Sequence, residues 1–365
     1  MSMSRSCLSY VPILFILALS GSWVGAEDTV VVRSASSNQD RRVLGTVVEF
    51  TGETLLLRHT SGREEKIPPE QVVEVLGDWK ESHRAANALF AEGSIAEAVA
   101  KYRQALRDED RRWAQRRVLA QLTWCYRYLG QTDQAVKAFL PLYRDDPQTP
   151  YFASIPLNWT AGQEDLNLER AAAAWMQDKN LSAARLIGAS WLLSSSRRAD
   201  ATRVLRQLVS DSDARIVFLA EAQLWRTQVA TTRLEEVGRW QERIKRMPPT
   251  IRGGPHYVLG LAFRRHGMHE QAALSFMRTA ILYASERELV PDALLAAARE
   301  LETMEQSQEA AGLYREILTK YPDARVASEA ENRLKQIAIS RQATKFKVQS
   351  SRLRLDGVGI GPGYS

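Results

Sequence analysis

Apolar positions along this chain follow two different periods. Between residues 28 and 77, short runs rich in valine and leucine are separated by glycine turns at Gly52 and Gly62. Short runs with turn residues between them are typical of an antiparallel β meander. From Trp79 onward, apolar residues recur at spacings of three and four, which is the period of one face of an α-helix. The sequence therefore predicts a mainly α protein that begins with a small antiparallel β module.

A motif of small and aromatic residues recurs in the helical part. A glycine is followed by an alanine five positions later and by an aromatic residue four positions after that. The motif occurs as Gly93, Ala98 and Tyr102, as Gly130, Ala135 and Phe139, and as Gly267, Ala272 and Phe276, and its last two members recur as Ala310 and Tyr314. Glycine permits a tight turn between two helices, and alanine is small enough to stand where the helices cross. The spacing therefore predicts repeated pairs of antiparallel helices.

This motif resembles the tetratricopeptide repeat (TPR), a pair of antiparallel helices with a period of about 34 residues. The resemblance implies an α-solenoid across residues 79–341. Its clear units are 79–112, 116–149, 253–286 and 291–324, its weaker units are 182–215 and 217–250, and its capping helix is 327–341. Leu166 to Gln177 is predicted to form one further helix, and Glu236 replaces the small crossing residue in one weaker unit. The alternative is an unrelated all-helical bundle.

Two segments interrupt the repeat. The loop 151–164 carries Phe152, Leu157 and Trp159 among other apolar residues. Apolar side chains in a loop either pack back onto the helices or offer an exposed surface to a partner, and both readings stay open. The tail 342–365 combines basic residues with repeated glycines, a composition typical of a disordered segment. Contact of this tail with anionic lipid or cell-wall polymer is the alternative.

Residues 1–26 have the features of a secretory signal. Arg5 precedes an apolar run from Val11 to Leu19, and the segment ends in a small-residue cleavage pattern at Ala26. The run is too short for a stable membrane span, and an uncleaved anchor is the alternative. We therefore expect an exported protein of the periplasm or cell envelope. Cleavage leaves Cys125 as the single cysteine, so no internal disulfide is expected.

Charge and motif content argue against several functions. The chain has 49 Lys and Arg and 43 Asp and Glu, so its net charge is +6, and loss of the signal segment with its single Arg lowers this to +5. Such a small charge over 365 residues does not indicate nucleic-acid binding. The sequence has no Walker loop, dinucleotide fingerprint or zinc motif, and His266 and His269 flank a predicted turn. It therefore predicts no enzyme, no cofactor and no metal site.

The TPR resemblance implies a concave face formed by the first helix of each unit, a face that binds peptides or helices of other proteins. The phase of the repeat places nine groove candidates on these helices: Asn87, Arg117, Gln121, Trp124, Tyr128, Trp225, Tyr257, Arg264 and Arg299. His83 shares their phase. Arginine and aromatic residues carry interface energy, because they bury large areas and arginine can fork onto carboxylates. We expect a protein partner that offers an acidic or a C-terminal peptide, and no small-molecule substrate. For any single candidate, Trp225 above all, the alternative is a place in the core.

Two shorter resemblances complete the prediction. The strand and turn order of residues 28–77 is similar to that of SH3-like or Sm-like barrels, which implies a small five-strand barrel. Sm-like proteins bind RNA, so binding of nucleic acid or cell-wall polymer through this module or the tail is the alternative function. Residues 308–337 resemble the C-terminal repeats of periplasmic Tol–Pal-associated TPR proteins, which implies a scaffold of the cell envelope. An enzyme with a dispersed site is the remaining alternative.

Overall fold

The computed structural model describes residues 27–33, 40–160 and 165–356. The predicted signal segment and the end of the predicted tail lie outside the described residues. Contacts between Cα atoms divide the chain into two compact units. The described residues up to 48, together with 55–78, form the first unit, and residues 49–54, together with those from 79 onward, form the second.

The first unit contains a five-strand sheet. The strands are β1 (Asp28–Arg33), β2 (Asp40–Phe50), β3 (Leu55–Arg58), β4 (Glu64–Ile67) and β5 (Val72–Leu76). Their order is β4-β3-β2-β1-β5, and β1 pairs antiparallel with both β2 and β5, as β3 does with β4. Because β5 pairs with β1, the first and last strands are neighbours in the sheet. The expected antiparallel module is thus confirmed, while its likeness to an SH3-like barrel stays a prediction.

Side chains alternate along β1 between buried and less buried positions. Val30 and Val32 are buried, with 0% and 1% of their area exposed, because successive residues of a strand point to opposite faces. The buried carboxylate of Asp28 accepts hydrogen bonds from the N–H groups of Val47 at 2.8 Å and Asp78 at 3.2 Å. This carboxylate therefore links the start of β1 to β2 and to the chain beyond β5.

The second unit is built from α-helices. Those in the described part of the chain are α1 (Glu81–Ala91), α2 (Ile95–Asp108), α3 (Arg112–Tyr128), α4 (Thr132–Asp145), α5 (Leu166–Met176), α6 (Ser182–Leu192), α7 (Arg198–Leu208), α8 (Ala214–Gln228), α9 (Leu234–Arg246), α10 (Gly253–Arg265), α11 (His269–Leu282), α12 (Val290–Thr303), α13 (Ser307–Lys320) and α14 (Ala327–Asp356). Successive helices pack together as pairs, among them α1 with α2, α3 with α4, α10 with α11 and α12 with α13. A mainly α solenoid of helix pairs after a small β module is confirmed. No described helix is long and apolar enough to cross a membrane.

The four clear pairs share one turn geometry. Positive φ angles occur two positions before the second helix, at Gly93 (85°), Gly130 (66°), Gly267 (69°) and Glu305 (62°). The N–H of the following residue donates to a carbonyl five residues back in every case, as from Ser94 to Leu89 at 2.9 Å. This is the Schellman pattern of a helix C-terminus, where glycine is favoured because a Cβ crowds the backbone at positive φ. The turn is therefore kept even where Glu305 replaces glycine.

The alanines of the motif are fully buried between the helices of their pairs. The set with 0% exposed area is Ala98, Ala135, Ala272 and Ala310. In the pair of α10 and α11, a Cβ added to Gly260 would lie 2.6 Å from the ring of Phe276. The two helices can approach this closely only because the residues at their contact are small.

α5 differs from the second helices of the clear pairs, because the segment before it in the described chain is irregular and not a helix that pairs with it. It packs instead on α6, where a Cβ on Gly188 would lie 2.3 Å from the carbonyl oxygen of Ala172. The predicted units that begin at 116 and 182 are 66 residues apart, close to two periods of about 34 residues. Residues 151–160 and α5 therefore take the place of one unit, in which an irregular segment replaces the first helix.

The last helix is longer than the sequence pattern predicts. Periodicity ends the cap at residue 341, whereas α14 continues to Asp356. Residues 342–356 contain neither proline nor glycine, so the backbone meets no helix breaker before Gly357. Helix thus extends into the first half of the tail that was expected to be disordered.

Replacing Glu305 with glycine should stabilise the helical unit. An L-residue in the left-handed region costs roughly 1–2 kcal/mol, and the extra backbone entropy of glycine costs about 0.5–1 kcal/mol, so we expect a net gain of about 0.5–1 kcal/mol. Gly130→Ala, the matched change in the opposite direction, should lose about 1 kcal/mol. Urea unfolding followed by far-UV circular dichroism measures both. Destabilisation by Glu305→Gly would contradict the turn assignment.

Candidate functional site

Residues Tyr151–Thr160, here called the strap, lie against the first helices of the array. The apolar side chains of the strap are 2–7% exposed, namely Phe152, Ile155, Leu157 and Trp159. The guanidinium of Arg127 on α3 donates to the carbonyl of Ala153 at 3.3 Å. Of the two readings that the sequence left open, the described part of the loop therefore packs back onto the helices; residues 161–164 lie outside the described residues.

Side chains on α6 and α8 bind the backbone of the strap. The donors are the indole N–H of Trp191 on α6 and the side chains of Gln223 and Arg226 on α8. The acceptors are the carbonyls of Pro156, Asn158 and Thr160, at 2.8–3.1 Å. These are alternate carbonyls, as expected when an extended backbone is held from one side. The face formed by the first helices thus binds an extended segment through its backbone.

Arg226 is the main anchor of the strap. Its guanidinium donates to the carbonyls of Asn158 and Thr160, both at 2.8 Å, and to the side-chain oxygen of Gln223 at 2.6 Å. Burial lowers the pKa of Arg226 to about 10, so the group is still charged at neutral pH. A buried cation is retained where several oxygen atoms replace its water shell, as the strap carbonyls do here.

Trp159 packs against the start of α10. A Cβ added to Gly254 would lie 1.9 Å from the indole ring, so the ring occupies space that only glycine leaves open. The N–H of Asn158 beside it donates to the hydroxyl of Ser190 at 3.2 Å. The glycine at 254 is therefore a contact residue of the strap as well as a helix residue.

Replacing Gly254 with alanine should displace Trp159 and loosen the strap. Overpacking of a tight contact costs about 1–3 kcal/mol, more than the helix propensity that alanine gains. Gly312→Ala on α13 is the control, because a Cβ there meets no atom within 4 Å and should only stabilise the helix. Urea unfolding reports stability, and limited proteolysis between residues 151 and 160 reports exposure of the strap. Equal effects of the two substitutions would contradict this contact.

A half-buried aromatic surface lies on α1 and α3. We define it by Phe90, Gln121, Trp124 and Tyr128. The rings of Phe90 and Tyr128 stack with centroids 5.7 Å apart, and Trp124 lies 6.0 Å from Tyr128. The guanidinium of Arg127 stands 4.1 Å over the ring of Trp124. This surface joins three of the predicted groove candidates, and the sequence prediction did not include Phe90.

The loop 283–289 between α11 and α12 borders the aromatic surface. The hydroxyl of Tyr128 donates to the carbonyl of Ser285 at 2.7 Å, and the guanidinium of Arg287 lies 5.2 Å from the ring of Tyr128. Arg127 pairs with Glu288 through its Nε at 2.7 Å. Helices far apart in the sequence therefore meet at this point, and the loop fixes the position of Tyr128.

Glu286 in the same loop has a buried carboxyl group. Its Oε2 has no hydrogen-bond partner among the described residues, and its Oε1 lies 2.3 Å from the position that a Cβ on Gly253 would take. Burial raises the pKa of Glu286 to about 7; the charge of Arg127 opposes that rise and that of Glu288 adds to it. The carboxyl group is therefore partly protonated near neutral pH.

Stability of the helical unit should depend on pH through Glu286. The folded carboxyl group holds its proton up to about pH 7 and the unfolded one only to about 4.5, so stability falls as pH rises through that window, by up to about 3 kcal/mol. Glu286→Gln should remove this contribution and be the more stable form at pH 8. Burial lowers the pKa values of His83 and His256 to about 4, so their contribution to stability rises with pH, opposite to that of Glu286. Both histidines are present in wild type and in Glu286→Gln, so the difference between the two proteins does not contain their contribution.

Urea unfolding at pH 5 and pH 8 measures the difference. Glu270→Gln, an exposed change on α11, is the control and should leave the pH profile unchanged. A parallel profile for wild type and Glu286→Gln would contradict the assignment.

The other predicted groove candidates lie in different surroundings. Trp225 is 7% exposed and stacks on Trp240 with centroids 5.1 Å apart, so its ring offers little area to a partner. Tyr257, 8% exposed, and Arg264 line a pocket beside the strap. Arg299 pairs with Glu329 on α14.

Asn87 and His83 on α1 and Arg117 on α3 all contact side chains of the first predicted repeat, 79–112. The amide oxygen of Asn87 accepts a hydrogen bond from the hydroxyl of Tyr102 at 2.7 Å. Arg117 stands 4.7 Å over the ring of Trp79. His83 is fully buried, 4.5 Å from Trp79. Tertiary contacts therefore decide which of the predicted side chains stay accessible, and the groove itself stays a prediction.

Groups with chemical reactivity are few among the described residues. Cys125 is fully buried, and burial raises the pKa of its thiol to about 12, which suits an inert packing residue. The imidazole of His269 pairs with Glu300 at 2.7 Å, and that of His266 contacts the carbonyl of Thr232 at 3.1 Å. In the described part of the chain, no three His, Cys, Asp or Glu residues come together as metal ligands.

Comparison with known protein families found no matching family model, and comparison with curated proteins found no match.

Proposed function

We propose that this chain is a non-catalytic scaffold of the TPR type that binds an extended, acidic peptide segment of a partner protein. The proposed site is the aromatic surface on α1 and α3. The location we propose is the cell envelope, on the strength of the signal-like residues 1–26 and the resemblance of residues 308–337 to periplasmic repeats.

The observation that carries the proposal is the way the array holds its own strap. Donors on α6 and α8 bind the carbonyls of Pro156 and Asn158, and these groups are present in every peptide. Burial of Leu157 and Trp159 adds the apolar contact. A face of this kind binds an extended chain by its backbone and selects it by its side chains. The first residues of the strap reach α3, where Arg127 donates to the carbonyl of Ala153. The aromatic surface lies on the same helix.

The acidic character of the partner follows from the cations around the aromatic surface. Arg287 and Arg127 stand over the rings of Tyr128 and Trp124. The charge of Arg127 is balanced by its ion pair with Glu288. The contact given for Arg287 is the one with the ring of Tyr128. Arginines stacked on aromatic rings are oriented for carboxylates at little further entropic cost. Acidic side chains next to an apolar anchor residue match this arrangement.

The test is selection of peptides from a displayed random library on the full chain. We expect enriched peptides to combine an apolar anchor with Asp or Glu. Trp124→Ala with Tyr128→Ala should weaken their binding by at least about tenfold, because buried aromatic anchors carry much of the energy of such interfaces. Tyr321→Ala, a half-buried aromatic residue after α13, is the matched control and should bind as wild type does.

Circular dichroism confirms that each variant is folded before binding is compared. Failure to enrich any peptide, or equal binding by the double variant, would overturn the proposal. Enriched peptides rich in Lys and Arg would overturn its acidic part.

A further inference from the structure

A basic pocket lies beside Trp159 of the strap. Its volume is about 450 Å³, within the range of sites for small organic ligands. Its wall contains three arginines and several apolar groups: Arg198, Arg226, Arg264, Tyr257, Leu193 and Leu261. Trp159 and Thr160 of the strap also line it, as do Ser194, Thr227 and Val229. No Asp or Glu is among the described residues that line it.

The cations of this pocket are not fully neutralised by nearby carboxylates. Arg226 contacts strap carbonyls and Gln223, none of which carries charge. Arg198 donates to the carbonyl of Thr227 at 3.4 Å. Arg264 has one carboxylate near it, Glu300 at 3.9 Å. That carboxylate is also paired with His269 at 2.7 Å. Among the described residues, Glu300 is therefore the one carboxylate within 4.0 Å of these three guanidinium groups.

The arginines have different roles because their donors are engaged to different extents. Arg226 donates to four oxygen atoms, so it adds positive potential and holds Asn158 and Thr160 in place. Arg198 is exposed and Arg264 half-buried, and both line the pocket. They are the groups able to turn toward a ligand, and the guanidinium fork suits an oxyanion.

Helix ends limit the charge that this pocket can accept. Lining residues in the last turns of α8 and α10 and just after α6 bring three helix carbonyl ends, with their partial negative charge, to the pocket, whereas Arg198 begins α7 and brings one helix N-terminus. A doubly charged phosphate would be repelled by these carbonyls more than a singly charged carboxylate would. The apolar wall of Leu193 and Leu261 favours a ligand with an apolar stem.

We propose that this pocket binds a monocarboxylate on an apolar stem, as at the C-terminus of a peptide that ends in an apolar residue. The side chains of Arg198 and Arg264 would contact the carboxylate, and Leu193 and Leu261 would contact the stem. The inference goes beyond the proposed function, since it concerns a separate site and does not need the aromatic surface.

The experiment is calorimetric titration of the full chain with N-acetyl-leucyl-phenylalanine and with its C-terminal amide. We expect the free acid to bind at least about tenfold more tightly than the amide, since a charge-assisted pair is lost in the amide. The double variant Arg198→Gln with Arg264→Gln should abolish this preference. Arg203→Gln, an exposed arginine on α7, is the matched control and should keep it.

Three outcomes would overturn the inference. The first is equal affinity, or no binding, of acid and amide with wild-type protein, a comparison that needs no variant. The second is an unchanged preference for the acid in the folded double variant. The third is displacement of the acid by an equal concentration of inorganic phosphate. The Trp124→Ala, Tyr128→Ala variant should still prefer the acid, so failure of the proposed peptide site and failure of this pocket are distinguishable.

Discussion

The spacing between paired helices is the constraint on which the helical unit depends. Two helices can cross closely only where their contact residues are small, and Ala98 and Ala135 are fully buried at such contacts. The left-handed turn at Gly93 and its counterparts then reverses the chain within two residues. Beyond these turns, α6, α8 and α10 pack side by side as the first helices of their pairs. The strap has a face to bind only because these helices are aligned.

The sequence could predict this part of the fold because its physical signal is local. Glycine, alanine and an aromatic ring at fixed spacing report a turn and a crossing within one pair, so the pairs of α1 with α2 and α10 with α11 were predicted near their observed bounds. The strap carries no such period. Its order comes from contacts with α6, α8 and α10, which lie 30 or more residues away along the chain. No pattern within the segment could distinguish a packed loop from an exposed one.

For the candidate site, the sequence likewise carries the local signal and lacks the tertiary one. Phase along a helix tells which face a residue occupies, and it placed Trp124 and Tyr128 on one face correctly. It does not tell how far that face is covered. Trp225 has the phase of a groove residue, yet it is buried because Trp240 on α9 stacks on it. Phe90 and the loop 283–289 were missed because they join the surface only through tertiary packing.

The strap also explains why the charged groups of this unit differ in what they can do. A guanidinium surrounded by carbonyl oxygens, like that of Arg226, is held by the fold, and removing it would leave those oxygens without donors. A guanidinium at the edge of the same contact, like that of Arg264, retains exposed area and exchanges its partners at little cost. Filling the middle of the first-helix face with a segment of its own chain thus fixes the core of the array. It leaves the aromatic surface and the basic pocket, with their partly exposed groups, uncovered by the described strap residues.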